Sequence, residues 1–86
     1  MHAPPDQWLT DGPADAPWTI ALAHGAGLPM DSPFMDYFAE GLAAQHYRVV
    51  RFEFPYMATR RSHGGKKPPD REPKLRETWL EVIESL

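Results

Sequence analysis

Apolar side chains group into four segments along the chain, and their spacing predicts two strands and two helices. Residues 18–23 are apolar at nearly every position, which is typical of a strand buried on both faces of a parallel sheet. Residues 33–45 repeat apolar side chains every three to four positions, as an amphipathic helix does. Residues 47–54 return to an extended pattern that ends at a proline, and a last helical stripe begins near Pro73.

The first helix has a clear start signal. The Ser32 hydroxyl can accept a hydrogen bond from an unpaired backbone N–H, and Pro33 fits the first helical position, where no hydrogen bond is lost. Asp36 favours the positive end of the helix dipole. The face that we expect to pack on the sheet comprises Phe34, Phe38 and Leu42, flanked by Met35, Ala39 and Ala43.

The order strand, helix, strand predicts a right-handed βαβ unit with parallel strands. Residues 1–17 read as an extended lead-in with at most one or two edge strands, and residues 55–72 as a long polar loop. The last helix is expected to bury a stripe of Leu75, Trp79, Val82, Ile83 and Leu86.

A helix after the second strand of a parallel sheet normally leads to a third strand, and this sequence contains none. We therefore expect a truncated sheet with an unpaired strand edge. Such an edge invites self-association, because its backbone N–H and C=O groups lack partners.

Composition limits the chemistry of these 86 residues. There is no cysteine, which excludes disulfides, thiolate nucleophiles and cysteine-based metal sites. The four histidines lack metal-ligand spacing, so no metal or other cofactor is expected. With no long apolar run and no basic, apolar leader at the N-terminus, we expect a cytoplasmic protein without membrane contact.

Charge is distributed unevenly along the chain. The first 47 residues contain no lysine or arginine, and all nine follow. A basic segment that contains Arg60, Arg61, Lys66 and Lys67 is a candidate anion-binding loop, with simple solvation as the alternative. We expect no nucleic-acid partner, because no aromatic residues alternate with the basic ones to stack on bases.

A glycine-containing loop, His24-Gly25-Ala26-Gly27, directly follows the first predicted strand. Glycines let a backbone approach a ligand closely, so this loop could stabilise an oxyanion. It could also begin a dinucleotide fingerprint, with Glu53 as the ribose-binding acid, although Met30 stands where the third glycine belongs. The remaining alternative is a tight turn that binds nothing.

Three stretches together resemble a known family: L-A-H-G-A-G-L-P-M-D-S-P-F-M from Leu22, R-V-V-R-F-E-F-P-Y-M from Arg48, and R-R followed by P-P-D. They resemble the N-terminal part of bacterial α/β-hydrolase-fold proteins of the dienelactone-hydrolase-like group, similar to the animal testis-expressed hydrolase-like proteins. The resemblance covers residues 11–86. It implies that residues 1–86 are a single N-terminal portion of an α/β-hydrolase domain, with a parallel three-layer sheet.

The resemblance also implies a site. Residues 18–23 would be the third strand of the hydrolase sheet and residues 47–54 the fourth. The backbone N–H of Ala26, together with Gly27, would be the oxyanion donor, and Gly25, Ala26 and Gly27 would contact the substrate.

The sequence departs from the family in lacking the nucleophile. The family's serine lies in a Gly-x-Ser-x-Gly-like elbow on the next strand, whereas Ser32, Ser62 and Ser85 have no such context. His24 reads as a structural residue of its loop rather than a base.

We therefore expect no catalytic residue in this chain, which would be an inactive fragment of a serine hydrolase for esters or acyl compounds. A small-molecule substrate would bind the full-length protein. The alternatives are a Rossmann-like nucleotide-binding module and a non-enzymatic interaction module that uses the free strand edge.

Overall fold

The computed structural model describes residues 2–25 and 27–86, and in this part of the chain three strands and three α-helices follow a short 3-10 turn. The elements are the turn Pro5–Gln7, β1 Leu9–Asp11, β2 Thr19–Ala23, α1 Pro33–Ala44, β3 Arg48–Phe52, α2 Pro55–His63 and α3 Glu72–Ser85. None of the helices in the described residues is both long enough and apolar enough to cross a bilayer.

The three strands form one mixed sheet in the order β1-β3-β2. Strands β2 and β3 are parallel as predicted, with Ile20 opposite Val49 and Ala23 opposite Phe52. The lead-in supplies one edge strand, β1, which runs antiparallel to β3. A sheet of parallel strands alone was therefore the wrong expectation. Parallel strands need a crossover connection of a dozen or more residues, and residues 12–18 between β1 and β2 are too few for one. Strand β1 therefore runs antiparallel to β2, and also to β3, which is parallel to β2.

The central strand β3 carries the deepest burial, because it has a neighbour on each side. Val49, Val50 and Phe52 are fully buried. The prediction that residues 18–23 are buried on both faces is wrong. Trp18 is 70% exposed and precedes the strand, and residues 20–23 are only half-buried. Strand β2 lies at the sheet edge and has one neighbouring strand in the described structure.

Helix α1 begins as predicted, since Met35 N–H donates to Ser32 Oγ at 3.3 Å. Its orientation is different from the prediction. Met35 and Ala39 are the buried side chains, whereas Phe34 and Phe38 remain 65% and 46% exposed. The helix is turned so that Asp36 reaches Arg51 on β3, with 2.6 Å between carboxylate and guanidinium.

Arg51 explains that orientation, because its guanidinium is buried and needs carboxylate partners. It bonds Asp11 of β1 at 3.0 and 3.2 Å, Asp36 of α1, and the Met30 carbonyl at 3.1 Å. Burial disfavours the charge, but the hydrogen bonds to Asp36 and Asp11 outweigh it and raise the pKa of Arg51. One side chain thus joins β1, β3, α1 and the loop before α1.

Phe52, the next residue along β3, points to the opposite face and packs against α3. Its ring lies 4.8 Å from that of Trp79 in an edge-to-face arrangement. The cluster of buried residues there comprises Ala3, Phe52, Phe54, Tyr56, Met57 and Val82. The apolar stripe predicted for α3 is buried only in part, since Ile83 is 56% exposed.

Helix α2 occupies the first half of the segment predicted to be a loop, so that prediction is wrong for residues 55–63. The segment is mostly polar, but its first turn buries Tyr56 and Met57 in the cluster. No side chain next to it in sequence caps the helix. Instead, Tyr56 N–H donates to Asp70 Oδ2 at 2.9 Å, a cap supplied from fourteen residues away.

Candidate functional site

The candidate site lies where β2 and β3 end, because parallel strands place their carboxyl ends at one edge of the sheet. The glycine-containing loop follows β2, and α2 follows β3 after two residues. Two loops that sequence separates by about thirty residues are therefore adjacent.

His24 joins these two loops. Phe54 N–H donates to His24 Nε2 at 3.1 Å, and His24 Nδ1 lies 2.6 Å from the Gly25 carbonyl. Since Nε2 accepts, Nδ1 carries the proton and donates, which describes a neutral ring. The ring is buried against Phe54 and Tyr56. The structural role predicted for His24 is confirmed.

Of the three residues predicted to contact the substrate, the structure describes Gly25 and Gly27. Ala26, the principal oxyanion donor of the prediction, lies outside the described residues. A Cβ on Gly25 or on Gly27 would meet no atom within 4 Å among the described residues beyond its chain neighbours, so packing against them does not demand glycine at either position. Open space therefore faces both glycines, and their role in substrate contact stays a prediction.

A cleft of about 640 Å³ lies between this loop and helix α2. Its lining residues are Gly27, Pro29, Met57, Arg60, Arg61, Gly65 and Lys66. This volume falls in the range of small-molecule sites. Sequence analysis placed Lys66 in the basic loop but did not find Met57, because Met57 belongs to a segment that was expected to be a polar loop.

Glu53 has a buried carboxylate beside this cleft. It accepts from Met30 N–H at 3.1 Å and from Arg61 Nε and Nη2 at 2.9 and 2.8 Å. Burial would raise its pKa, but the hydrogen bonds from Arg61 and Met30 outweigh burial and lower it. Both oxygens are occupied, which disfavours Glu53 as a ribose-binding acid and with it the nucleotide interpretation.

Arg61 is held on its other side by Asp31, at 2.7 Å from Nη2. That hydrogen bond lowers the pKa of Asp31, and the bonds to Glu53 and Asp31 together raise the pKa of Arg61. We call Glu53, Arg61 and Asp31 the clamp. Met30 and Asp31 lie in the segment that follows the glycine loop, and they bond Glu53 and Arg61 respectively. These contacts fix that segment to the end of β3, where Glu53 lies, and to α2, which carries Arg61.

The two arginines of the predicted anion-binding loop both lie on α2. Arg61 shares its charge with two carboxylates. Arg60 Nε donates to the Lys67 carbonyl at 2.8 Å, and its guanidinium lies 5.3 Å from the centre of the Tyr56 ring. Anion binding by Arg60 and Arg61 stays a prediction, and the structure gives the two residues different surroundings.

The clamp was missed because its members are separated in sequence, although one signal was available. Glu53 stands between Phe52 and Phe54 at the end of a buried strand, and a buried carboxylate requires a cationic partner. The sequence contains several lysines and arginines and did not indicate which of them pairs with Glu53.

The Ser32 hydroxyl accepts the capping hydrogen bond of α1. Ser62 is exposed on α2 and does not lie in a strand-to-helix elbow. Across residues 2–25 and 27–86, no three histidine or acidic side chains gather in a way that could hold a metal ion.

Comparison with known proteins identifies a family to which the chain is similar. The model of a family described as an alpha/beta hydrolase domain matches residues 16–86. No curated protein and no solved structure matches the chain. The matched range contains β2, the glycine loop, the clamp and every residue that lines the cleft.

Proposed function

This chain belongs to the alpha/beta hydrolase domain family, and from that premise we propose that it forms the oxyanion side of a serine hydrolase active site. The reaction is hydrolysis of esters or related acyl compounds, with a small-molecule substrate in the cleft. The observation that carries the proposal is the family match over the glycine loop and the cleft beside it.

The position of the loop supports this role. Ligands of open α/β sheets bind beyond the carboxyl ends of the strands, which is where this loop and cleft lie. In lipases and esterases one backbone donor of the oxyanion hole comes from the loop between a strand and the helix that follows. Here that loop connects β2 to α1, and the Ala26 and Gly27 N–H groups are the proposed donors.

The nucleophile comes from outside these 86 residues, since they contain no Gly-x-Ser-x-Gly sequence. In the proposed reaction a histidine takes the proton of the serine hydroxyl while the serine oxygen attacks the carbonyl carbon. The same histidine then gives this proton to the alcohol, which leaves. Water then cleaves the acyl-enzyme to release the acid and restore the serine. The present chain stabilises the negative carbonyl oxygen in both steps.

A fluorophosphonate probe, which labels activated serines, tests on the 86-residue chain whether the nucleophile lies outside it. We expect no covalent labelling of the 86-residue protein, because none of its serines is activated. Mass spectrometry after incubation gives the answer directly. An adduct on Ser32, Ser62 or Ser85 would contradict the proposal.

The oxyanion role is tested in a protein extended by the coding sequence that follows residue 86. It should hydrolyse p-nitrophenyl acetate, and Ala26→Pro should lower kcat about 100-fold, the effect of losing one oxyanion donor. Leu28→Pro is the matched control, since it places the same ring one residue after the proposed donors and removes neither of their N–H groups. Equal turnover of Ala26→Pro and the parent, at equal melting temperature, would overturn the assignment.

A further inference from the structure

We propose that Glu53 and Arg61 are positioning residues for the reaction, because they fix the glycine loop at the distance that the oxyanion donors require. Neither residue would touch the reacting atoms. The inference rests on the proposed function and adds to it the side chains that set the position of the proposed donors, Ala26 and Gly27. It gives the clamp a role in turnover as well as in stability.

The glycine loop and the residues after it are attached to the end of β3 at two points. At the first point, Phe54 N–H donates to His24 Nε2 at 3.1 Å. At the second, Met30 N–H donates to Glu53 Oε2 at 3.1 Å. Glu53 and Phe54 are consecutive in sequence, so both attachments are made at one place beyond β3. Residues 25–29, which include the proposed donors, lie between the two attachments along the chain.

The second attachment depends on Arg61. A carboxylate at the end of a rotatable side chain can hold a backbone N–H in place only if it is itself held. Arg61 Nε and Nη2 donate to the two Glu53 oxygens at 2.9 and 2.8 Å, a paired arrangement that fixes the plane of the carboxylate. Arg61 also bonds Asp31 directly, so it holds the segment after the glycine loop by two routes.

Helix α2 gives Arg61 a firm support. Its first turn buries Tyr56 and Met57 in the core cluster, and Asp70 caps it through the Tyr56 N–H at 2.9 Å. Met57 and Arg61 are four residues apart and therefore lie on one face of the helix, one turn from each other. A side chain on a packed and capped helix holds its position more precisely than one on a loop. Through Arg61 the glycine loop is thus attached to α2 as well as to β3.

The contacts of Arg61 favour a positioning role over substrate binding. Nη1 and Nη2 lie 3.3 and 2.7 Å from the Asp31 carboxylate, in addition to the two bonds with Glu53. Two carboxylates balance its positive charge. Although Arg61 lines the cleft, its donors are directed to these internal partners.

Small displacements matter for an oxyanion donor. Such a donor acts at about 2.7–3.1 Å from the oxygen that it stabilises. A misplacement of about 1 Å can cost about 100-fold in rate. Binding of a small neutral ester depends less on this distance, because the negative charge develops only in the transition state. A loosened loop should therefore lower kcat more than it changes KM.

Amide hydrogen exchange of the 86-residue chain, followed by NMR, measures the attachment without turnover. In Arg61→Met we expect exchange of the Met30 amide to accelerate about tenfold relative to that of Val50, as expected for the loss of a charged hydrogen bond. Val50 is fully buried on the central strand. A loss of global stability alone accelerates Val50 at least as much as Met30 and does not raise this ratio.

Arg76→Met is the matched control, since it removes an arginine from an ion pair between exposed side chains and should leave the exchange ratio unchanged. Arg61→Lys keeps one positive charge without the paired hydrogen bonds, and should raise the ratio less than Arg61→Met does. It keeps the test informative if Arg61→Met unfolds. A parent-like ratio in both Arg61 variants would overturn the inference.

The effect on turnover is measured with p-nitrophenyl acetate in the protein extended beyond residue 86, below the melting temperature of every variant. Arg61→Met should lower kcat about tenfold and change KM by less than about twofold. Arg61→Lys should recover part of the lost kcat, and Arg76→Met should keep both constants of the parent. A raised KM at the kcat of the parent would make Arg61 a substrate-binding residue and overturn its positioning role.

Failure of this inference and failure of the proposed function are distinguishable. Absence of hydrolysis in the extended parent would overturn the proposed function, and with it the role of the clamp in that reaction. Hydrolysis by the parent with an unchanged kcat in Arg61→Met would overturn the positioning role alone.

Discussion

Glu53 and Arg61 are the residues on which the geometry of the candidate site depends most directly. Glu53 is 8% exposed, and its carboxylate contacts both the backbone after the glycine loop and the helix that forms the opposite wall of the cleft. Such a buried charge is tolerated only while its partners are present. Loss of either partner therefore affects stability and loop position together.

Arg61→Met should destabilise the protein by about 2 kcal/mol, because it leaves the Glu53 carboxylate buried with one donor. This value is at the lower end for a charged partner, since Arg61 itself is 42% exposed. Urea unfolding measures the difference. Arg76→Met breaks an ion pair between exposed side chains and should cost less than about 0.5 kcal/mol. Equal losses for the two variants would contradict the role of the clamp.

The clamp also makes stability depend on pH. The pKa values of Glu53 and Asp31 are lower in the folded chain than their ordinary values of 4.5 and 3.8. Below those ordinary values the unfolded chain binds protons that the folded chain does not, so acid favours unfolding. The clamp's contribution is complete above about pH 5 and declines as the pH falls through these ordinary values toward the lower folded ones.

Urea unfolding of Glu53→Gln between pH 3 and pH 6 tests this dependence. The variant should lose part of the decline in stability toward acid, because its amide does not titrate. Glu84→Gln, at an exposed position on α3, is the control that should keep the slope of the parent. If the stability of Glu53→Gln declines toward acid as steeply as that of the parent, other carboxylates cause the acid sensitivity, and the prediction is wrong.

At the scale of elements, the turn after β1 depends on Gly12. Its φ is +80°, and a Cβ there would lie 2.1 Å from the Tyr47 carbonyl oxygen at the start of the β3 segment. No side chain fits that distance. The edge strand β1 can therefore lie beside β3 only if this position is glycine.

Gly12→Ala should destabilise the protein more than Gly65→Ala, as measured by thermal or urea unfolding. Both positions have positive φ, so both variants carry a backbone cost of about 1 kcal/mol. A Cβ on Gly65 would meet nothing within 4 Å, so the excess loss in Gly12→Ala reports the clash with Tyr47. Equal losses would mean that β1 moves away from β3 at little cost.

At the scale of the whole molecule, apolar surface remains exposed on several elements. The large apolar side chains that are at least 46% exposed are Trp18, Leu28, Phe34, Tyr37, Phe38, Leu80, Ile83 and Leu86. On α1 the ring of Phe38 lies 4.8 Å from that of Phe34 and 5.4 Å from that of Tyr37. Exposed apolar patches of this kind promote association, as does the outer edge of β2, which no described strand pairs.

We expect the 86-residue chain to self-associate as its concentration rises, and Phe34→Lys with Phe38→Lys to shift the equilibrium toward monomer. Sedimentation velocity over a range of concentrations measures the shift. Glu40→Lys, an exposed change of charge on the same helix, should have a smaller effect because it removes no apolar surface. A parent that stays monomeric at every concentration would contradict the prediction.

The sequence by itself determined the features that depend on neighbours along the chain. The parallel β2–α1–β3 unit, the cap of α1 at Ser32 and the position of the glycine loop after a strand were all predictable. They follow from short-range periodicity and capping. The family match over residues 16–86 supports the α/β-hydrolase part of the resemblance that those local motifs carry.

Only the tertiary structure decided the features that depend on partners distant in sequence. Asp11 and Asp36 reach a buried arginine and so set the orientation of α1, and Asp70 caps a helix whose own sequence offers no cap. Arg61 forms ion pairs with Glu53 and Asp31. The sequence alone did not identify these two carboxylates as its partners. A local pattern records which positions are apolar or charged, whereas the identity of each buried charge's partner is a property of three-dimensional packing.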